Sequence, residues 1–143
     1  MFISSYILAG LGGWVAAQGM KIALDYKSRR LNSKSLADFY RSGGMPSAHA
    51  ASMVAVTTLI GLVDGVDGGL FGLSLVLTCI IIYDAMMVRR SSGLQGELLV
   101  KLANLVDKTT KAPTFAKGHT PLDVLVGSLI GLLVGYVVFL ATI

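Results

Sequence analysis

The chain has 143 residues, 54% hydrophobic and 14% charged, with 17 glycines and a mean hydropathy of +0.72. This is not the composition of a soluble domain. Its net charge of +4, from 12 Lys+Arg and 8 Asp+Glu, is too small and too dispersed for a nucleic-acid-binding stripe, so no nucleic-acid partner is expected. Cys79 is the only cysteine, which excludes an internal disulfide and a cysteine-rich zinc site.

Four apolar stretches are each read as a span of ~30 Å of hydrocarbon. The first runs from about Phe2 to Tyr26. It has no basic n-region and stays apolar up to Lys21, so it reads as an uncleaved span and not a signal peptide. A basic loop bearing Lys27, Arg29, Arg30, Lys34 and Arg41 follows and ends in Gly43-Gly44-Met45-Pro46. The second span covers about Ala48 to Val63 and is the shortest; an acidic turn with Asp64 and Asp67 leads to the third, about Leu70 to Val88. From Arg89 to Thr120 runs another basic stretch, in which Leu94, Leu98, Leu99, Leu102, Leu105 and Val106 recur at helical spacing beside Gln95, Glu97, Lys101 and Asn104. That pattern predicts an amphipathic helix on the membrane surface. The fourth span covers about Pro121 to Thr142.

The expected fold is therefore all-α, a single integral-membrane domain over residues 1–143, with about four transmembrane helices and one interfacial helix. If the spans alternate in direction, both long basic loops share one face of the membrane, and the positive-inside rule makes that face cytoplasmic. Small residues recur every four positions in the first span (Ala9, Gly13, Ala17) and the fourth (Gly127, Gly131, Gly135). Such stripes let helices approach closely, within one bundle or, as the lesser alternative, across a homodimer seam.

Both histidines stand where a basic loop enters an apolar helix on the same face. In Gly43-Gly44-Met45-Pro46-Ser47-Ala48-His49 a glycine turn opens a helix, whose free N–H groups and positive dipole end suit an anion. Ser47 also reads simply as an N-cap, with His49 an interfacial side chain. In Gly118-His119-Thr120-Pro121-Leu122-Asp123, His119 and Asp123 are four apart. On a helical path the carboxylate could accept from one imidazole nitrogen and leave the other free for attack. The same residues also read as a helix start, with Thr120 as N-cap, Pro121 next and Asp123 closing a capping-box-like pair.

Taken together, the two segments resemble a known family. Pro46-Ser47-Ala48-His49 is similar to the P-S-x-H motif, and His119-Thr120-Pro121-Leu122-Asp123 to the H-x-x-x-D motif, of the type-2 phosphatidic acid phosphatase superfamily, which includes the vanadium haloperoxidases. Gly118 to Val124, Tyr83-Asp84-Ala85 and Val88-Arg89-Arg90 resemble its divergent branch more closely. The resemblance implies that His119 is a nucleophile forming a phosphohistidine, Asp123 orients it and His49 is the general acid. It implies that Ser47 and the N–H groups after Gly44 hold the phosphoryl oxygens. No metal or other cofactor is implied.

Two positions depart from the superfamily pattern. The usual arginine after the first lysine is Ser28 here, and the arginine six residues before the nucleophile is Pro113. Lys21, Arg89 and Arg90 are expected to replace them in the phosphate clamp, with Arg41 a weaker candidate. Asp84 and Lys21 lie within apolar spans, where ionisable groups mark an inward-facing site or a mutual pair; Asp84 is expected to organise Lys21 or Arg89.

The functional expectation is a membrane-embedded, metal-independent phosphatase acting on a lipid phosphate or a polyprenyl phosphate or diphosphate, with the bilayer and that lipid as partners. The alternatives are a non-catalytic scaffold or lipid-binding protein that retains the anion pocket, and a small transporter in which His49, His119 and Asp84 line a path.

Overall fold

Inside a bilayer every backbone N–H and C=O must find a partner within the protein, and an apolar chain without strand alternation meets that demand by helix formation. The computed structural model describes residues 4–27, 44–106 and 118–142, and among them every regular element is helical. These are α1 (Ser5–Lys27), α2 (Ala48–Val63), α3 (Gly69–Tyr83), a π-helical turn (Asp84–Val88), α4 (Arg89–Val106) and α5 (Pro121–Thr142). Arg41 and most of the first basic loop lie outside the described residues.

Three apolar helical runs are long enough to cross a membrane, Ser5–Lys27, Gly69–Val106 and Pro121–Thr142, and α2 is a shorter apolar helix beside them. Their outer faces are oily: Leu133 and Leu140 of α5 are 67% and 63% exposed. A continuous apolar surface of this kind faces lipid and not water.

The amphipathic stretch is helical as expected, Arg89–Val106, and is not detached from the third span. It continues the third span through the π turn without a break, giving 38 helical residues from Gly69 to Val106. No proline interrupts the segment, and the π turn keeps the backbone bonding continuous, with the Arg89 N–H donating to the Asp84 carbonyl.

The central helix is the short α2, which packs against α1, α3 and α5. Its alanines make this feasible. Ala51 and Ala55 are fully buried, and the Ala51 carbonyl lies so close to Gly13 of α1 and Gly131 of α5 that a Cβ at either glycine would stand 2.6 Å and 2.5 Å from it. Both small-residue stripes are thus buried against α2 within the chain. Short polar side chains add links between helices. Ser52 Oγ donates to the Gly10 carbonyl at 2.8 Å, and the hydroxyls of Thr57 and Thr78 pair at 2.8 Å.

Contacts at the helix ends establish the alternation of direction. The Tyr6 hydroxyl, at the start of α1, donates to Asp64 after α2 at 2.7 Å. At the opposite end, the Ser47 N–H donates to the Asp123 carbonyl at 2.9 Å, and the His119 N–H to the Ala85 carbonyl at 3.1 Å. That second end gathers the C-terminal part of α1, the starts of α2 and α5, and the π turn.

Candidate active site

Two helix N-termini open at this end of the bundle, and local sequence explains each. Ser47 has extended backbone angles and its Oγ accepts the Ala50 N–H at 3.4 Å, an N-cap. The first N–H groups of α2, those of Ala48 and His49, have no intrahelical acceptor. At the start of α5, Thr120 N–H donates to Asp123 Oδ2 at 2.7 Å and Asp123 N–H donates to Thr120 Oγ1 at 3.3 Å. This is the reciprocal capping pair.

Around these termini stand most of the residues singled out from sequence. His119 is buried, and its Nδ1 faces Asp123 Oδ2 at 3.9 Å without a hydrogen-bond partner. The Asp123 carboxylate is thus held by the helix cap and stands just beyond bonding reach of the ring. With Nδ1 turned to Asp123 and unpartnered, Nε2 is the nitrogen that the Gly44 backbone engages, and it is available for chemistry only when that bond gives way. The charges of His49 and Lys21 also act on His119. Gly44 has φ +87°, a conformation that favours glycine, and a Cβ there would stand 3.6 Å from Lys21 Cε. Lys21 is buried on α1.

From the third span, Arg89 Nε donates to Asp84 Oδ2 at 2.6 Å, and both charges lie near enough to His49 to act on it. Of the two partners expected for Asp84, its ion pair is with Arg89. Arg90 contributes backbone, which packs against Gly118, while the residue itself is exposed. Ser47 is fully buried, with its N–H donated to Asp123 and its Oγ occupied in the cap. It therefore shapes the loop from within and has no surface to offer a phosphoryl oxygen.

The electrostatics favour a neutral His119 imidazole. Burial is the largest influence on His119 and pushes its imidazole below the ordinary histidine value; Asp123 acts in the opposite direction, and the charges of His49 and Lys21 reinforce the lowering. A nucleophilic nitrogen needs its lone pair, so a lowered value keeps it competent in mildly acidic conditions.

The match to known families spans nearly the whole of this architecture: the family described as "Divergent PAP2 family" matches residues 2–134. The chain belongs to that family. Among relatives of this divergent PAP2 protein is the "Uncharacterized membrane protein YuiD" of Bacillus subtilis (strain 168), 31% identical over 143 residues, covering 89% of each chain. No solved structure matches it. The family assignment, the apolar helices and the membrane-protein relative together make it an integral membrane protein.

Two features of the divergent PAP2 site were not assigned a role from sequence. One is Gly118, with φ +69°, which sits against the backbone of Arg89 and Arg90 so closely that a Cβ would collide with it. Its signals in the sequence were its place immediately before His119 and its membership of the Gly118–Val124 run. The other is the π turn and its Ala85 carbonyl, for which apolar periodicity offers no signal.

Proposed function

We propose that the protein is a metal-independent phosphatase of lipid phosphates or polyprenyl phosphates or diphosphates, working through a phosphohistidine. The observation that carries this reading is the convergence of His119, His49, Lys21 and Arg89 at the end of the bundle where α2 and α5 begin. His119 Nε2 attacks phosphorus, the bond from phosphorus to the leaving oxygen breaks, and His49 gives that oxygen its proton. Water then attacks the phosphohistidine, His49 takes a proton from it, and the P–N bond breaks to restore Nε2. Lys21, Arg89 and the α2 N-terminus stabilise the charge that spreads over the equatorial oxygens, which is where phosphoryl transfer gains most of its acceleration. A lipid tail suits the location, since the head group can reach this end while the chain stays among the apolar helices. The basic loops on this side would face the cytoplasm.

A second reading, an anion-binding scaffold without turnover, is favoured by one observation: Asp123 Oδ2 is bonded to Thr120 N–H and stands 3.9 Å from His119 Nδ1. Catalytic hydrogen bonds are often long before substrate binds, so the two readings separate by turnover. Phosphate release from a panel of lipid phosphates by the purified protein in detergent is the expected result, with inhibition by orthovanadate. Orthovanadate binding without release from any substrate would select the scaffold. Ion flux in liposomes without hydrolysis would instead point to a transporter.

The roles also fix the pH profile. His119 must be neutral and His49 protonated, so activity falls on the acid side as His119 gains a proton and on the alkaline side as His49 loses one. With His119 lowered by burial, the acid limb is expected below pH ~6.5, the ordinary histidine value. A flat profile in an active preparation would contradict this pair of roles.

A further inference from the structure

In an α-helix successive residues advance about 100°, so side chains five apart point about 140° away from each other and do not meet. Asp84 and Arg89 are five apart, yet their side chains form an ion pair at 2.6 Å. The wider π winding from Asp84 to Val88 is what brings them to one side, and Arg89 closes that turn with its own N–H on the Asp84 carbonyl. The same turn carries the Ala85 carbonyl that accepts the His119 N–H. Directly beside it, Gly118 rests on the backbone of Arg89 and Arg90 with no room for a Cβ. A single five-residue segment therefore touches both a basic side chain near His49 and the backbone that carries His119.

We propose that this π turn sets the distance between the phosphate clamp and the nucleophile, with Asp84 and Gly118 as positioning residues. Asp84 aims the Arg89 guanidinium toward His49, and Gly118 lets the His119 turn seat on the helix backbone. The inference rests on the reading of Arg89 and His119 given above, and deepens it. Backbone contacts are stiffer than side-chain contacts, and a displacement of about 1 Å between reacting groups is enough to cost roughly 100-fold in rate.

The test compares full-length wild type with Gly118→Ala, Asp84→Ala and Asp84→Asn in detergent. It reads steady-state phosphate release, orthovanadate binding and the titration of both imidazoles by NMR. For Gly118→Ala, kcat is expected to fall roughly 10- to 100-fold with KM within about threefold, and the His119 titration to move while that of His49 does not. For Asp84→Ala, KM and the orthovanadate Kd are expected to rise about tenfold; Asp84→Asn, which keeps an acceptor for Arg89 Nε, should recover part of this. If Gly118→Ala does not fold, the Asp84 pair carries the test, because Asp84 is partly exposed. Wild-type kcat and His119 titration in Gly118→Ala, or wild-type KM and orthovanadate affinity in Asp84→Ala, would overturn the proposal. A wild type that releases no phosphate defeats the hydrolase reading instead. The positioning claim then stands or falls on the His119 titration, where no change in Gly118→Ala rejects it.

Discussion

His119→Ala is expected to lower phosphate release by at least about 1,000-fold, to the background of the preparation, because it removes the atom that forms the covalent intermediate. His49→Gln should be slow for a different reason: the leaving oxygen loses its proton donor, so poor leaving groups suffer most and activated aryl phosphates least. A substrate labelled in its phosphoryl group and quenched in alkali should leave label on the wild-type protein and none on His119→Ala. Helical content by circular dichroism checks that the variant is folded. Undiminished turnover in His119→Ala would remove the phosphohistidine scheme altogether. Loss of turnover without any trapped label in the wild type would leave His119 essential but reassign it to acid–base work.

Gly127→Val is expected to be the most destabilising single change in the bundle. A Cβ at Gly127 would fall on the Ser47 carbonyl, and that carbonyl already accepts the Ala51 N–H that starts α2. The two backbones are in contact, so α5 must move away or tilt. Overpacking costs about 1–3 kcal/mol in cores that can adjust, and backbone against backbone adjusts least, so about 3 kcal/mol or more is expected. Thermal unfolding in detergent measures it. Gly72→Ala in α3 is the matched control: nothing lies within 4 Å of a Cβ there, and Ala is the better helix former by ~1 kcal/mol. It should leave the midpoint unchanged or raise it. Equal losses from both variants would mean that helix–helix contact at Gly127 is not what holds α5.

Much of this was legible in the sequence because the decisive signals are local. Pro46-Ser47 announces the start of α2 and Thr120-Pro121 the start of α5, since caps are read from adjacent residues. The alternation of spans then brings the two starts to one end. Two features were beyond such reading. The third span was expected to end near Val88 with an amphipathic helix after it, and the elements divide there, but the π turn that joins the two without a break leaves no mark in apolar periodicity. Ser47 carried two readings, and its full burial beside the contact of its N–H with the Asp123 carbonyl reveals that it lies inside. That bond joins residues far apart in the chain, which propensity and spacing do not encode.

The brevity of α2 has one more consequence. Sixteen residues rise about 24 Å, some 6 Å less than the ~30 Å of hydrocarbon that a bilayer presents. With its far end level with one interface, the end beside His49 sits about 6 Å beneath the other, below the acyl ester groups, or the surrounding leaflet dimples to meet it. A lipid could then deliver its phosphate by settling sideways into that hollow without climbing out of its monolayer, whereas a water-soluble ester would have to descend.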